Sequence, residues 1–151
     1  MKQDLPEPMR LAFIEAEAAA GRQEVPVGAV IIGPHGEVLA KAGNRTLADQ
    51  DPTAHAEMIA IRHAAKILGS ERLIDCKLYV TLEPCAMCAA AISFARIQRV
   101  YFAASDEKMG AIENGPRFFN QSTCHHAPEV YGGIGEQQAK EMLIQFFKTR
   151  R

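Results

Sequence analysis

Apolar and small residues recur at helical spacing in "PMRLAFIEAEAAAG", where Met9, Ala12, Phe13, Ala16 and Ala20 share one face and Gly21 closes the run. That pattern predicts an amphipathic helix. The period then changes. "VPVGAVII" and "VLAKAG" are strand-like runs on either side of the turn former "GPHGE", which predicts a β-hairpin ending at Asn44. Helical spacing returns in "DPTAHAEMIAIRHAAKILG", with Asp51 or Thr53 as the expected cap, Met58, Ile61, Ala65 and Leu68 as the expected buried side, and Gly69 as the stop. "KLYVTLE" reads as a buried strand from its β-branched and aromatic content. Pro84 suits the first turn of a third helix, continued by "CAMCAAAISFA", because its missing amide is an orphan donor there in any case. "RVYFAAS" is a further strand, the stretch from Asp106 to Gly135 is polar and glycine-rich, and "EQQAKEMLIQFFKTRR" is a closing amphipathic helix.

Strands alternating with helices predict an α/β sandwich around one sheet. No repeat or linker divides the sequence, so residues 1–151 are expected to form a single domain. Nearly half of the residues are hydrophobic, yet no apolar run is long enough to cross a bilayer, and "MKQDLPEPMR" lacks the apolar centre of a signal peptide. A soluble, cytoplasmic protein with no membrane partner is expected. The formal charge of −1 gives no general attraction to polyanions, so any nucleic acid must be held by a local patch.

Four cysteines do not make a disulfide framework here, because Cys76 and Cys124 stand alone and are expected to be inert. Cys85 and Cys88 differ. Spaced i, i+3 at a helix start, they point at one object, and the exposed amides and dipole there favour thiolate, the metal-binding form. A structural zinc takes four protein ligands, commonly from two such pairs, and this chain has one pair. The vacancy falls to a histidine and to water. Of His35, His55, His63, His125 and His126, His55 is the one that also opens a helix, which brings two helix mouths to the strand ends. Glu57 lies two residues on. Residues two apart diverge by roughly 200° on a regular helix, so the two share a site only at an irregular first turn. Three protein ligands and an open position describe a catalytic zinc, one per chain, with a carboxylate beside it to carry protons.

This H-x-E…P-C-x-x-C arrangement resembles the zinc deaminases. The resemblance goes further: "EVPVGAVI", "GNRT", "DPTAHAE", "LYVTLEPCAMCAAAISFARI" and "SDEKMGA" look like the bacterial tRNA-specific adenosine deaminases, which convert the anticodon wobble adenosine to inosine. It runs from about Val25 to about Ala111 and resumes in "FFKTRR", covering most of the chain. It implies a three-layer α/β/α sandwich around a mixed, cytidine deaminase-like sheet of about five strands. It further implies His55, Cys85 and Cys88 as zinc ligands and Glu57 as the proton shuttle. Asn44 becomes a hydrogen-bonding partner of the base, with Val27 and the Ala56 backbone lining the pocket. Asp106 falls where the family contacts the sugar, and Phe147, Arg150 and Arg151 on the helix that handles the RNA flanks. The implied partners are a tRNA anticodon stem-loop and a second copy of the chain in a homodimer. No contacts are carried over for residues 113–135.

Simpler readings stand beside these. Asn44 could merely end a strand, Asp106 could cap a turn, and one of Phe146 and Phe147 belongs to the core by default. Two other functions also fit the motif. A deaminase of a free nucleobase or nucleoside, such as guanine or cytosine, needs no RNA surface, and a non-catalytic zinc module needs a fourth protein ligand and has no use for Glu57.

Overall fold

The apolar runs Gly28–Ile32 (β1) and Val38–Gly43 (β2) pair antiparallel as the predicted hairpin. β1 pairs on its other side, again antiparallel, with Lys77–Leu82 (β3), and β3 continues in parallel to Arg99–Ala104 (β4). Glu129–Tyr131 (β5) closes that edge in parallel, giving a five-stranded mixed sheet of order β2-β1-β3-β4-β5. This computed structural model describes residues 4–150, so the expected RNA contact at Arg151 lies outside the described residues.

The parallel step from β3 to β4 needs a crossover, which is the helix Ala86–Phe94 (α3). Ala56–Leu68 (α2) packs beside it on the same face, where Ala60, Ala64 and Ile92 meet Ile31, Leu78, Val80, Val100 and Phe102. The helices Glu7–Gly21 (α1) and Glu136–Lys148 (α4) cover the other face, where Met9, Phe13 and Ala139 meet Val30, Ile32 and Ala103. Strand residues alternate between the two cores, as the two-residue period of a strand requires. The result is the expected three-layer α/β/α sandwich.

Several local expectations are corrected. In α1, Ala19 and not Ala20 completes the buried stripe. In α2 the buried residues are Ala56, Glu57, Ala60 and Ala64, while Met58, Ile61 and Ala65 are half-buried and Leu68 is exposed. An i, i+4, i+8 row of alanines lets the helix lie close on the sheet, and the larger side chains are displaced to its flanks. The cap of α2 is His55, not Asp51 or Thr53. Asp51 instead accepts from the Thr53 amide and hydroxyl in a turn of its own. Pro84 precedes α3, whose cap is Cys85. Gly69 ends α2 in the left-handed conformation, as expected. The polar stretch after Asp106 contains a single 3-10 turn at Phe118–Asn120 as well as β5.

Candidate active site

His55 and Cys85 are both helix caps with extended backbone, so each side chain projects from a helix mouth and not from a helix flank. This resolves the angular problem between His55 and Glu57: the histidine stands outside the helical rotation, and Glu57 is already inside it. The mouths of α2 and α3 meet at the ends of the sheet strands. There His55 Nδ1 is 3.7 Å from Cys85 Sγ and 3.6 Å from Cys88 Sγ. The three donor atoms lie within 4.8 Å of one another, and they are the cluster of this kind found among the described residues.

That spacing fits zinc. Bond lengths of about 2.3 Å to sulfur and 2.0–2.1 Å to nitrogen in a tetrahedron place the two donor types about 3.6 Å apart. Three such ligands leave the fourth position open, unlike a closed structural site.

The thiols are already differentiated. Hydrogen bonding from Cys88, aided by His55 and working against burial, brings Cys85 down to about 4. Cys88 is pushed up by its hydrogen bond to Cys85 and by burial. Cys85 in turn holds the His55 imidazole above its ordinary value. Glu57 is 4% exposed, and burial pushes its carboxyl up to about 7, where it can take up and release a proton near neutral pH.

His55, Glu57 and Cys85 line a cavity of about 880 Å³, with Cys88 buried behind them. Val27, Asn44, Asp106 and Phe147 all line it. Ala56 does not: it is fully buried, and its amide donates to Asn44 Oδ1 at 2.8 Å. Asn44 Nδ2 donates to the Val25 carbonyl at 3.2 Å, so this one side chain ties the hairpin to the mouth of α2. Asp106 Oδ1 accepts the amides of Lys108 and Met109, turning the loop at the cavity rim. On α4, Phe146 is buried while Lys140, Leu143, Ile144 and Phe147 form a wall. Arg150 lies over the Phe146 ring at 3.9 Å from its centroid.

Two further carboxylates are buried at the cavity, Glu24 behind its rim and Glu83 in its lining. Glu24 accepts from the amides of Leu47 and Ala48 and from the Thr46 hydroxyl. Glu83 accepts from the amides of Asp106, Ile112, Glu113 and Asn114 and from Asn114 Nδ2. Burial works to raise the Glu83 pKa, but these donors outweigh it and hold the carboxyl below its usual range. A charge set inside the apolar run "YVTLEPC" is the one sequence signal that marks it. Of the other histidine and cysteine candidates, Cys124 donates to the His126 carbonyl, and His126 Nε2 meets the Ile97 carbonyl. Cys76 is buried, and desolvation pushes its thiol up to about 11.

A deaminase-type zinc centre on a three-layer sandwich is thus what fold and site define. Residues 2–104 match the cytidine and deoxycytidylate deaminase zinc-binding region, and the chain belongs to that family. Several of its relatives, at 41–57% identity, are tRNA-specific adenosine deaminases. It is 57% identical over 143 residues to the tRNA-specific adenosine deaminase of Agrobacterium fabrum, covering 95% of this chain and 93% of the relative. It also superposes, with TM-score 0.88 and 57% identity over 90% of this chain and 98% of the other, on a structure from studies of A-to-I editing by tRNA:A34 deaminases at the wobble position of transfer RNA. A guanine deaminase from Bacillus subtilis is more distant, at TM-score 0.63 and 29% identity over 94% of this chain and 92% of that one.

Proposed function

We propose that the chain is a zinc-dependent tRNA adenosine deaminase that converts adenosine to inosine at the anticodon wobble position. The observation that carries this reading is a buried carboxylate, Glu57, beside a three-ligand metal cluster in a cavity far larger than one base. His55, Cys85 and Cys88 are the residues that would hold the zinc. When bound, the metal supplies a Lewis acid that makes water a nucleophile at neutral pH.

Glu57 takes a proton from the attacking water and gives it to the purine N1, then takes the proton left on the new C6 hydroxyl and gives it to the amine nitrogen as the C6–N bond breaks. Adenosine and water become inosine and ammonia. The half-buried Asn44 and the apolar Val27 orient and enclose the base, with Ala56 acting through the amide it gives Asn44. Asp106 faces the sugar. Leu143, Ile144 and Phe147 supply an apolar wall that a flanking base can stack on, a contact worth about 1–3 kcal/mol that needs no net positive charge. The nucleotide must be splayed from the anticodon loop to reach Glu57.

The chain acts as one domain, in the cytoplasm, and as a homodimer. Phe94, at the end of the alanine-rich α3, is 73% exposed, which supports an interface on that face. The function is tested by inosine formation on a panel of tRNAs and anticodon stem-loops, run beside free guanine, cytosine and adenosine. Turnover confined to the free bases overturns it.

A further inference from the structure

Glu83 is 3% exposed and spends its carboxylate on a single segment of chain. Oε1 accepts the Asp106 amide at 3.0 Å and Asn114 Nδ2 at 2.7 Å. Oε2 accepts the amides of Ile112, Glu113 and Asn114 at 3.0, 2.9 and 3.1 Å. One side chain therefore grips both stems of the loop 106–114, while the tip of that loop, Glu107 to Met109, lines the cavity. The loop is packed onto this grip. A Cβ on Gly110 would meet Glu83 Oε2 at 2.5 Å and the Asp106 carbonyl at 2.4 Å, so glycine alone fits there. The Ala111 amide also donates to the Pro84 carbonyl, and Cys85 forms a β-bridge with Gly110.

From this geometry we infer that Glu83 is a positioning residue for substrate: it clasps the 106–114 loop so that Asp106 and the loop tip form a fixed wall of the RNA-binding cavity. Glu83 lines the cavity, but its two oxygens are occupied by five donors from the loop, so its carboxylate is committed to the chain and not to the substrate. It acts through the loop. Four of those donors are backbone amides, for which few other acceptors exist in a buried setting, so the wall is fixed before substrate arrives and less ordering is left to binding. The substrate part of this inference rests on the proposed deaminase reading. The clasp itself does not.

Glu83→Gln replaces one acceptor oxygen by a donor NH₂ facing amide donors, whichever way it turns. Asn114→Ala removes one bond and keeps the carboxylate. Both variants, with their zinc, are compared with the parent chain in three measurements: amide hydrogen exchange without substrate, zinc content, and KM and kcat on an anticodon stem-loop. Expected for Glu83→Gln are exchange at residues 106 and 112–114 faster by at least tenfold, unchanged exchange in α1 and the β1–β2 hairpin, one zinc per chain, and a KM raised about tenfold with kcat altered less than threefold. Asn114→Ala should move exchange and KM the same way by a smaller factor, and it decides the matter if Glu83→Gln does not fold. Glu83→Asp, which keeps the charge on a shorter arm, should recover part of the KM. Exchange confined as expected with KM unchanged shows the wall plays no part in binding and overturns the inference. Loss of zinc, or a fall in kcat alone, does so as well, because Glu83 would then act through the metal centre. A parent chain inactive on the stem-loop counts against the function, while the exchange data still judge the clasp.

Discussion

Phe146 and Phe147 are neighbours on α4 with ring centroids 5.3 Å apart, edge to face, yet Phe146 is 8% exposed in the core and Phe147 is 53% exposed on the cavity wall. Their substitutions should therefore separate. Phe147→Ala is expected to raise KM for an anticodon stem-loop by about 5- to 150-fold, from the 1–3 kcal/mol of a lost base stack, with little change in thermal unfolding. Phe146→Ala is expected to cost about 3 kcal/mol of stability or more. Removing the chain after Gln145 is not a clean probe of RNA contacts, because it takes away the buried ring and the Arg150 guanidinium lying over it. Equal effects of the two alanine variants on KM would contradict this division.

Glu57→Gln should lower kcat by at least about 10²-fold, the lower end of what a positioned acid-base group supplies. Zinc content and the unfolding transition should be retained, since Glu57 is not among the three clustered ligands. Residual turnover near a tenth of the parent rate would remove Glu57 from the proton path.

Purified protein should contain one zinc per chain by elemental analysis, and His55→Ala or Cys88→Ala should contain much less. Stripping the metal with a chelator should abolish activity and lower the unfolding temperature, because binding free energy is shared with folding when ligands come from separate elements. Two zinc ions per chain would demand a second site that the described residues do not form.

Asn44→Ala should destabilise the fold by about 1–3 kcal/mol, since it leaves the buried Ala56 amide without an acceptor and unties α2 from the hairpin. It should also raise KM. A variant with full stability would show that water replaces the lost carbonyl.

Sedimentation at micromolar concentration is expected to give a dimer, and Phe94→Glu to shift it toward monomer. A parent chain that sediments as a monomer ends the dimer proposal.

The chemistry of this site was legible because it is local. His55 and Glu57, and Pro84, Cys85 and Cys88, are each separated by a few positions, and spacing that short survives any fold. What lay hidden depends on partners far along the chain. Apolar spacing in α2 points to Met58, Ile61, Ala65 and Leu68, whereas the sheet accepts the smaller Ala56, Ala60 and Ala64 row. β5 carries three residues and no buried alternation, so only its parallel pairing with β4 reveals it. Glu24 and Glu83 are held by amides more than 20 positions downstream, which no local spacing reveals.

The order in which the cavity is assembled along the chain has a consequence during synthesis. The His55, Cys85 and Cys88 cluster and Glu57 have left the ribosome once Cys88 has, whereas the wall of Lys140, Leu143, Ile144 and Phe147 belongs to the helix made last among the described elements. A growing chain thus acquires the means of holding zinc well before it can enclose a nucleotide. Premature encounters of a half-made enzyme with the abundant RNA around it would find a reactive floor with one side missing, and so little to keep them there.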